Sequence, residues 1–311
     1  MYPGGISGDD SVGLTQGPPD DPAAITTALA TLQSGQRAFL VRGYLGFHDE
    51  DGSFTVTPRE PQQYAVDGRR LDLVVQYQSR GGDVTGYLRY LREVIRRHGD
   101  RLASVQVAEE PNITDNPVLD GYYPGISDAI VNGVAAARDE ITRQGLDVQV
   151  GFNTTPLFGP AASFLTKLSA HGGQSLMDAV DYVGLDLFPD VFRPIEPDEL
   201  ADRVTGLLRY HRQCLTDAGF PATTPIRVAE NGWPTGPQRT AERQAQVLDT
   251  IVRTLASHST ELNIDGYCHF SLRDTDSANP GLFHQFGLLT DDYTPKPGFA
   301  AYRALIAEFG G

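Results

Sequence analysis

The chain alternates between short apolar runs and longer stretches in which apolar residues recur every three or four positions. Seven runs read as strands: 37–45 (RAFLVRGYL), 71–77 (LDLVVQY), 103–109 (ASVQVAE), 147–152 (DVQVGF), 181–187 (DYVGLDL), 225–230 (PIRVAE) and 263–270 (NIDGYCHF). An eighth, weaker one lies near 2–7. Between them, helical faces are read from Leu200, Val204, Leu207, Leu208, His211 and Leu215 in 198–219, and from Leu248, Ile251, Val252 and Leu255 in 240–257. Ile130, Val134, Ala137 and Ile141 make a third stripe. Strands recur every 30 to 45 residues, the length of one strand-plus-helix unit. Eight such units predict an α/β chain whose parallel sheet closes into a single (β/α)8 TIM barrel spanning 1–311 as one domain. An open doubly wound sheet is the alternative, but no Gly-x-Gly-x-x-Gly follows any strand. The segment 46–70 fits the scheme least well, with at most a short helix around Pro61–Val66.

Composition narrows the chemistry. Of 311 residues, 21% are charged and 40% hydrophobic, an ordinary globular balance with ample length for a core. A net charge of −15 repels phosphate backbones and acidic lipid, so neither nucleic acid nor a membrane surface is an expected partner. No apolar stretch approaches the roughly 20 residues needed to span a bilayer. MYPGGISGDD has no basic region and no apolar stretch, so a cytoplasmic location is expected if this start is native. Cys214 on a helix and Cys268 in a strand read as separate thiols. The only lysines, Lys167 and Lys296, fall outside the strands, which removes a strand-borne Schiff base. The seven histidines form no metal-spaced cluster and no phosphate loop is present, so no metal or cofactor is expected.

In barrels of this kind chemistry sits at the C-terminal ends of the strands. Those ends carry Arg42 and His48, then Tyr77, Gln78 and Arg80, then Glu109, Glu110 and Asn112. Asn153, Phe188 and Asp190, Glu230 and Asn231, and Arg273 and Asp274 complete the ring. Strands four and seven, which end in glutamates, face each other across a ring of eight. Two opposed carboxyls suit cleavage of a glycosidic bond, one protonating the leaving oxygen while the other attacks or activates water. Strict alternation along strand seven groups Ile226, Val228 and Glu230 on one face and Arg227 and Ala229 on the other. Along strand four it turns Glu110 into the barrel mouth and Glu109 away, unless a bulge re-aims it. Glu230 has a structural reading too, as a strand-end acid paired with Arg42 or Arg273, and Glu109 stays open between a salt-bridged surface acid and a sugar ligand.

AEEPN (108–112) and AENGWP (229–234) resemble the acid/base and nucleophile motifs of the retaining (β/α)8 glycoside hydrolases of clan A. GYCHFSLRD (266–274) and FGLLTDDYTPKPGFAAYRALI (286–306) are similar to the strand-eight region and tail of the family 1 members, and DYVGLDLFPD is a looser match on strand six. The resemblance implies hydrolysis of a β-linked glycoside with retention, Glu230 as nucleophile and Glu110 as acid/base, their carboxyls about 5–5.5 Å apart. Arg42 resembles the clan's strand-two arginine that holds the nucleophile ionised, with a structural ion pair as its other reading. With Glu109, Asn153, Phe188, Trp233 and Phe270 it makes the candidate substrate-binding set, in which Trp233 reads equally as plain packing. Three positions depart from it. Glu109 replaces an asparagine that binds the sugar 2-hydroxyl, Phe270 replaces a tryptophan, and Phe188 replaces a tyrosine whose hydroxyl contacts the nucleophile. A catalytically silent sugar-binding barrel and a transglycosidase that uses the same carboxylates are the alternatives.

Overall fold

Apolar runs and amphipathic stretches segregate into a curled sheet with helices packed along it. The computed structural model describes residues 1–8, 13–33, 35, 38–49 and 55–310. Arg37, where the first strong strand is predicted to begin, and residues 50–54 of the 46–70 segment lie outside them. In chain order the elements are β1 (Ile6–Gly8), β2 (Leu14–Gln16), α1 (Pro22–Gln33), β3 (Phe39–Phe47) and β4 (Val56–Thr57). Then come β5 (Arg69–Tyr77), α2 (Val84–His98), β6 (Leu102–Val107), α3 (Ile126–Gln144), β7 (Gln149–Thr154) and α4 (Phe164–Ala179). The chain finishes with β8 (Tyr182–Asp186), α5 (Leu200–Asp217), β9 (Ile226–Asn231), α6 (Ala241–Leu262), β10 (Ile264–His269) and α7 (Pro297–Phe309).

The sheet runs β10-β9-β8-β7-β6-β5-β3-β4, with β4 antiparallel at its edge and the other strands parallel. The predicted helical stripes are buried: Ile130, Val134, Ala137 and Ile141 on α3, Val204, Leu208 and Leu215 on α5, and Leu248, Ile251 and Leu255 on α6. Leu207 is only half-buried, at the margin of its stripe. Side-chain caps start α1, α2 and α6, Asp21 accepting from the Ala23 and Ala24 N–H groups, Asp83 from the Gly86 N–H and Thr240 from that of Arg243. A 3₁₀ turn at Pro61–Tyr64 stands where the short helix was expected.

The weak first strand is displaced from its predicted position. Residues 6–8 pair outside the sheet with β2 in a small antiparallel ribbon. Met1 and Tyr2 instead bridge the two sides of the sheet. The Arg42 N–H donates to the Met1 carbonyl (2.9 Å), the Tyr2 N–H to His269 (3.2 Å), and the Leu272 N–H to the Tyr2 carbonyl (2.8 Å). Tyr2 stacks on Phe270, with ring centroids 5.1 Å apart, and meets Tyr44 edge-on at the same distance. Its hydroxyl lies 2.6 Å from Thr57 Oγ1. The physical reason for the displacement is length: two residues span the gap between β3 and β10, so periodicity had almost nothing to act on.

Tyr2 is therefore the keystone of that seam. Tyr2→Ala removes a buried aromatic ring and leaves Thr57 without its partner, and is expected to cost about 3 kcal/mol or more in urea unfolding. A loss below about 0.5 kcal/mol, the range of an unremarkable surface substitution, would show that the seam carries no load.

Candidate functional site

The floor of the site is one buried arginine. Arg42, on β3, donates from Nη1 to Asp72 Oδ2 (2.6 Å) and from Nη2 to Gln106 Oε1 (2.8 Å). Its Nε donates to the Tyr44 hydroxyl (3.0 Å), and the guanidinium also reaches Glu109 Oε2 at 3.6 Å and Glu230 Oε1 at 3.8 Å. Asp72 in turn accepts from Ser104 Oγ (2.7 Å). The Tyr44 hydroxyl donates onward to Glu230 Oε1. Burial alone would penalise this cation, but the phenol and carboxylates around it hold it firmly charged.

Above that floor four carboxyls converge: Glu109, Glu110, Asp186 and Glu230. One oxygen from each of Glu109, Asp186 and Glu230 lies within 4.8 Å of the others, a set that could hold a cation. Asn153, on β7, ties the acids together. Its amide nitrogen donates to Glu109 Oε1 (3.2 Å) and to Asp186 Oδ2, while its Oδ1 accepts from the Glu110 N–H (2.9 Å). Glu109 also accepts from Gln106 Nε2 (2.7 Å). The pocket strongly disfavours full ionisation. Burial is the largest cause for each acid, followed for Glu110 by the charges of Glu109 and Glu230, and for Glu230 by that of Glu109. Asp186 is pushed well up by the same two neighbours and Glu110. Arg42 pulls Glu109 and Glu230 back toward the ionised form, and the Tyr44 bond helps Glu230.

Both glutamate-bearing strands break their alternation to deliver these groups. β6 ends at Val107, and Ala108 follows with φ of +67° and Glu110 with φ of +44°. That left-handed turn brings Glu109 into the cluster, correcting the expectation that it points away. On β9 the register slips: Leu185 is opposite Val228, but Asp186 is opposite Glu230, leaving Ala229 as an extra residue. Val228 packs in the apolar core with Val183 and Leu185, while Arg227 turns to Asp265, Gln149 and the ring of Tyr182. Glu230 therefore does not share the face of Val228, as strict alternation has it. The bulge returns it to the polar interior.

Asp120 clamps the first of these turns. Its Oδ2 accepts from the Glu109 N–H (2.8 Å) and the Tyr77 N–H (2.6 Å), and its own N–H donates to the Glu109 carbonyl (3.1 Å). Oδ1 is buried without a hydrogen-bond partner. Burial pushes this carboxyl up to about 7, against the two amide bonds that favour its charge.

Aromatic rings form one wall. Phe188 and Phe270 are half-buried, meet edge-to-face at 6.5 Å, and both contact Phe286 at 5.8 Å. Trp233 is packed away at 6% exposure, its indole N–H donating to the Asp190 carbonyl (3.0 Å). It belongs to the core, so the expectation of a sugar contact there is not carried forward. His48, Asp49, Gln78, Arg80, Pro117 and Val118 line a separate cavity of about 300 Å³, to which none of the four acids contributes. Arg273 pairs with Asp20 and Asp274 with Lys296, so neither joins the cluster. Asn112 binds Thr155 and Asn231 binds Tyr267 and the Leu187 carbonyl, roles of local support. Tyr44, Asp72, Asp120 and Asp186 were absent from the expected set. Tyr44 lies two residues beyond Arg42 on one strand face, and Asp186, the last residue of β8, lies one residue before the end of the strand predicted over 181–187, signals that were present. Nothing in the loop sequence marks Asp120.

No protein-family model matches the chain, and no curated protein does. Solved structures do. A family 39 glycoside hydrolase from Bacteroides cellulosilyticus WH2 is 16% identical, with a TM-score of 0.63 over 92% of this chain and 60% of its own. Fungal β-1,4-galactanases match at 12% identity, TM-score 0.61, over 88% and 89%. A β-D-glucuronidase from Dictyoglomus thermophilum matches at 13% and 0.60, over 92% of this chain and 47% of that one, so the chain spans about half the length of that relative. The chain thus shares its α/β fold with these glycoside hydrolases, in agreement with the fold that the resemblance implies.

The Asp120 clamp makes a prediction with a definite sign. Asp120→Ala strands two buried N–H groups and is expected to cost about 1–3 kcal/mol for each. Asp120→Asn keeps the accepting oxygen. Because the folded carboxyl titrates above its unfolded value of 3.8, the parent loses stability as pH rises from there toward 7. Asp120→Asn should therefore gain on the parent across that interval in urea titrations, and a difference that shrinks with rising pH would contradict the assignment.

Proposed function

We propose that this protein hydrolyses a β-linked glycoside with retention of configuration, in a single-domain, closed (β/α)8 barrel and without metal or organic cofactor. The observation that carries the reading is Glu230: a buried carboxyl inside an acid cluster, with Arg42 and the Tyr44 hydroxyl both directed at its Oε1. A nucleophile must be ionised, and those two groups are what favours its charge against burial and Glu109. Glu230 attacks the anomeric carbon and forms a glycosyl ester as the aglycone leaves. Glu110, held protonated by burial and by the charges of Glu109 and Glu230, gives its proton to the departing oxygen. Esterification removes the Glu230 charge, the Glu110 pKa falls, and the same carboxylate then takes a proton from the incoming water. Asn153 and Arg42 hold the acids in register, and Phe188 and Phe270 offer an apolar face to the sugar ring. The glycoside hydrolases similar in fold support the class of reaction.

Trapping with 2-fluoro glycosides, read by intact mass and peptide mapping, is expected to label Glu230; a label on any other residue overturns the assignment. Glu230→Gln should lose turnover of aryl β-glycosides. Glu110→Gln should slow poorly activated substrates by about 10²–10⁴-fold and spare those with good leaving groups. Sugar binding without turnover in the parent and in both variants would identify a silent barrel, and transfer to an added sugar acceptor a transglycosidase.

Tyr44→Phe removes a donor that lowers the Glu230 pKa. The acidic limb of the kcat/KM profile should move to higher pH, and a limb that stays fixed would show that the phenol does not govern the nucleophile.

A further inference from the structure

The charge of the pocket names a substrate class. Four carboxyls face inward, and among the described residues the guanidinium that reaches them, Arg42, is already paired with Asp72. Neither lysine offers a cation, Lys296 being bound to Asp274 and Lys167 lying on α4. Asp186 is 1% exposed, and its Oδ1 receives no hydrogen bond from any N–H or hydroxyl among the described residues, so that within the cluster its carboxyl meets those of Glu109 and Glu110. The cluster is built to accept hydrogen bonds from something with several donors and a positive charge.

Geometry says where on the substrate that charge belongs. This step rests on the proposed attack of Glu230 at the anomeric carbon. C2 is one bond from that carbon, and its substituent falls beside the nucleophile. The neighbour there is Glu109, within 4.8 Å of Glu230 and Asp186. Glu109 is the residue that replaces the neutral amide expected to bind a 2-hydroxyl. A hydroxyl brings one donor and no charge, whereas an ammonium brings three donors and the charge that desolvated carboxylates lack. We propose that the substrate is a 2-amino-2-deoxy-β-glycoside with a free amino group, its ammonium bound by Glu109 and Asp186. N-acetylation removes the charge and two donors, so the acetylated sugar is rejected. A divalent metal ion is the competing occupant, and Arg42, 3.6 Å from Glu109 and 3.8 Å from Glu230, opposes it. An ammonium, with a single charge, meets less of that repulsion.

The test compares 4-nitrophenyl β-glucosaminide, its N-acetyl form and 4-nitrophenyl β-glucoside, with the galacto series alongside, all in EDTA. In the parent the amino glycosides should exceed the hydroxyl ones in kcat/KM by about tenfold or more, the worth of one charge-assisted bond. Glu109→Gln and Glu109→Asn should each lower that ratio by about the same factor. Preference for the hydroxyl sugar in the parent, or a ratio untouched in folded Glu109 variants, overturns the inference while leaving glycoside hydrolysis intact. Absence of turnover with every glycoside overturns both readings. Activity that appears only when Ca²⁺, Mg²⁺, Mn²⁺ or Zn²⁺ is returned to the EDTA-treated protein assigns the cluster to a metal and overturns the ammonium.

Discussion

Arg42 is the charge on which the rest of the site depends. Four buried carboxyls gather around it, from β3's neighbour β5 (Asp72), the turn after β6 (Glu109), β8 (Asp186) and β9 (Glu230), with the half-buried Glu110 beside them. Taking a guanidinium out of water costs several kcal/mol, and removing its partners would leave that cost uncompensated. The converse holds as well. Without Arg42, the acids would lose the main influence that keeps any of them ionised. Its planar fork suits this task where a lysine would not, because it addresses Asp72, Gln106 and Tyr44 in three fixed directions at once.

The second constraint lies in the backbone. A regular strand sends neighbouring side chains to opposite faces, so adjacent acids cannot both enter one pocket. The left-handed residues Ala108 and Glu110 lift that restriction after β6, and the extra residue at Ala229 lifts it on β9. Such departures are unfavourable locally and persist only where the surroundings hold them. Asp120 does this for Glu109, gripping its N–H and its carbonyl from a loop eleven residues on.

These breaks explain what could and could not be read from the sequence. The strand and helix order was legible because apolar periodicity is repeated many times, and the strand-end rule brought Arg42, Glu110, Asn153 and Glu230 into view together. Orientation was not legible. Strict alternation turns Glu109 outward, unless a bulge re-aims it, and groups Glu230 with Val228, and it stops at both positions. Tyr2 falls within the weak strand read near 2–7, but its bridging role was not legible for a different reason: a two-residue bridge carries no period. Asp120 belongs to the same class, since its partners are backbone amides that any sequence could supply.

Tyr44 shows how a site can recover a lost contact from another wall. The motif resemblance puts a tyrosine hydroxyl on strand six, where this chain has Phe188, and so implies that the nucleophile lacks that donor. The phenol arrives instead from β3, two residues past Arg42, and the same guanidinium that balances the acids fixes its oxygen from behind. What the proposed chemistry requires is a donor at Glu230 Oε1 with its own lone pair occupied, so that its proton points one way. Arg42 donating to Tyr44, and Tyr44 to Glu230, supplies that direction through a chain of two hydrogen bonds, and frees the Phe188 position for an apolar ring beside Phe270.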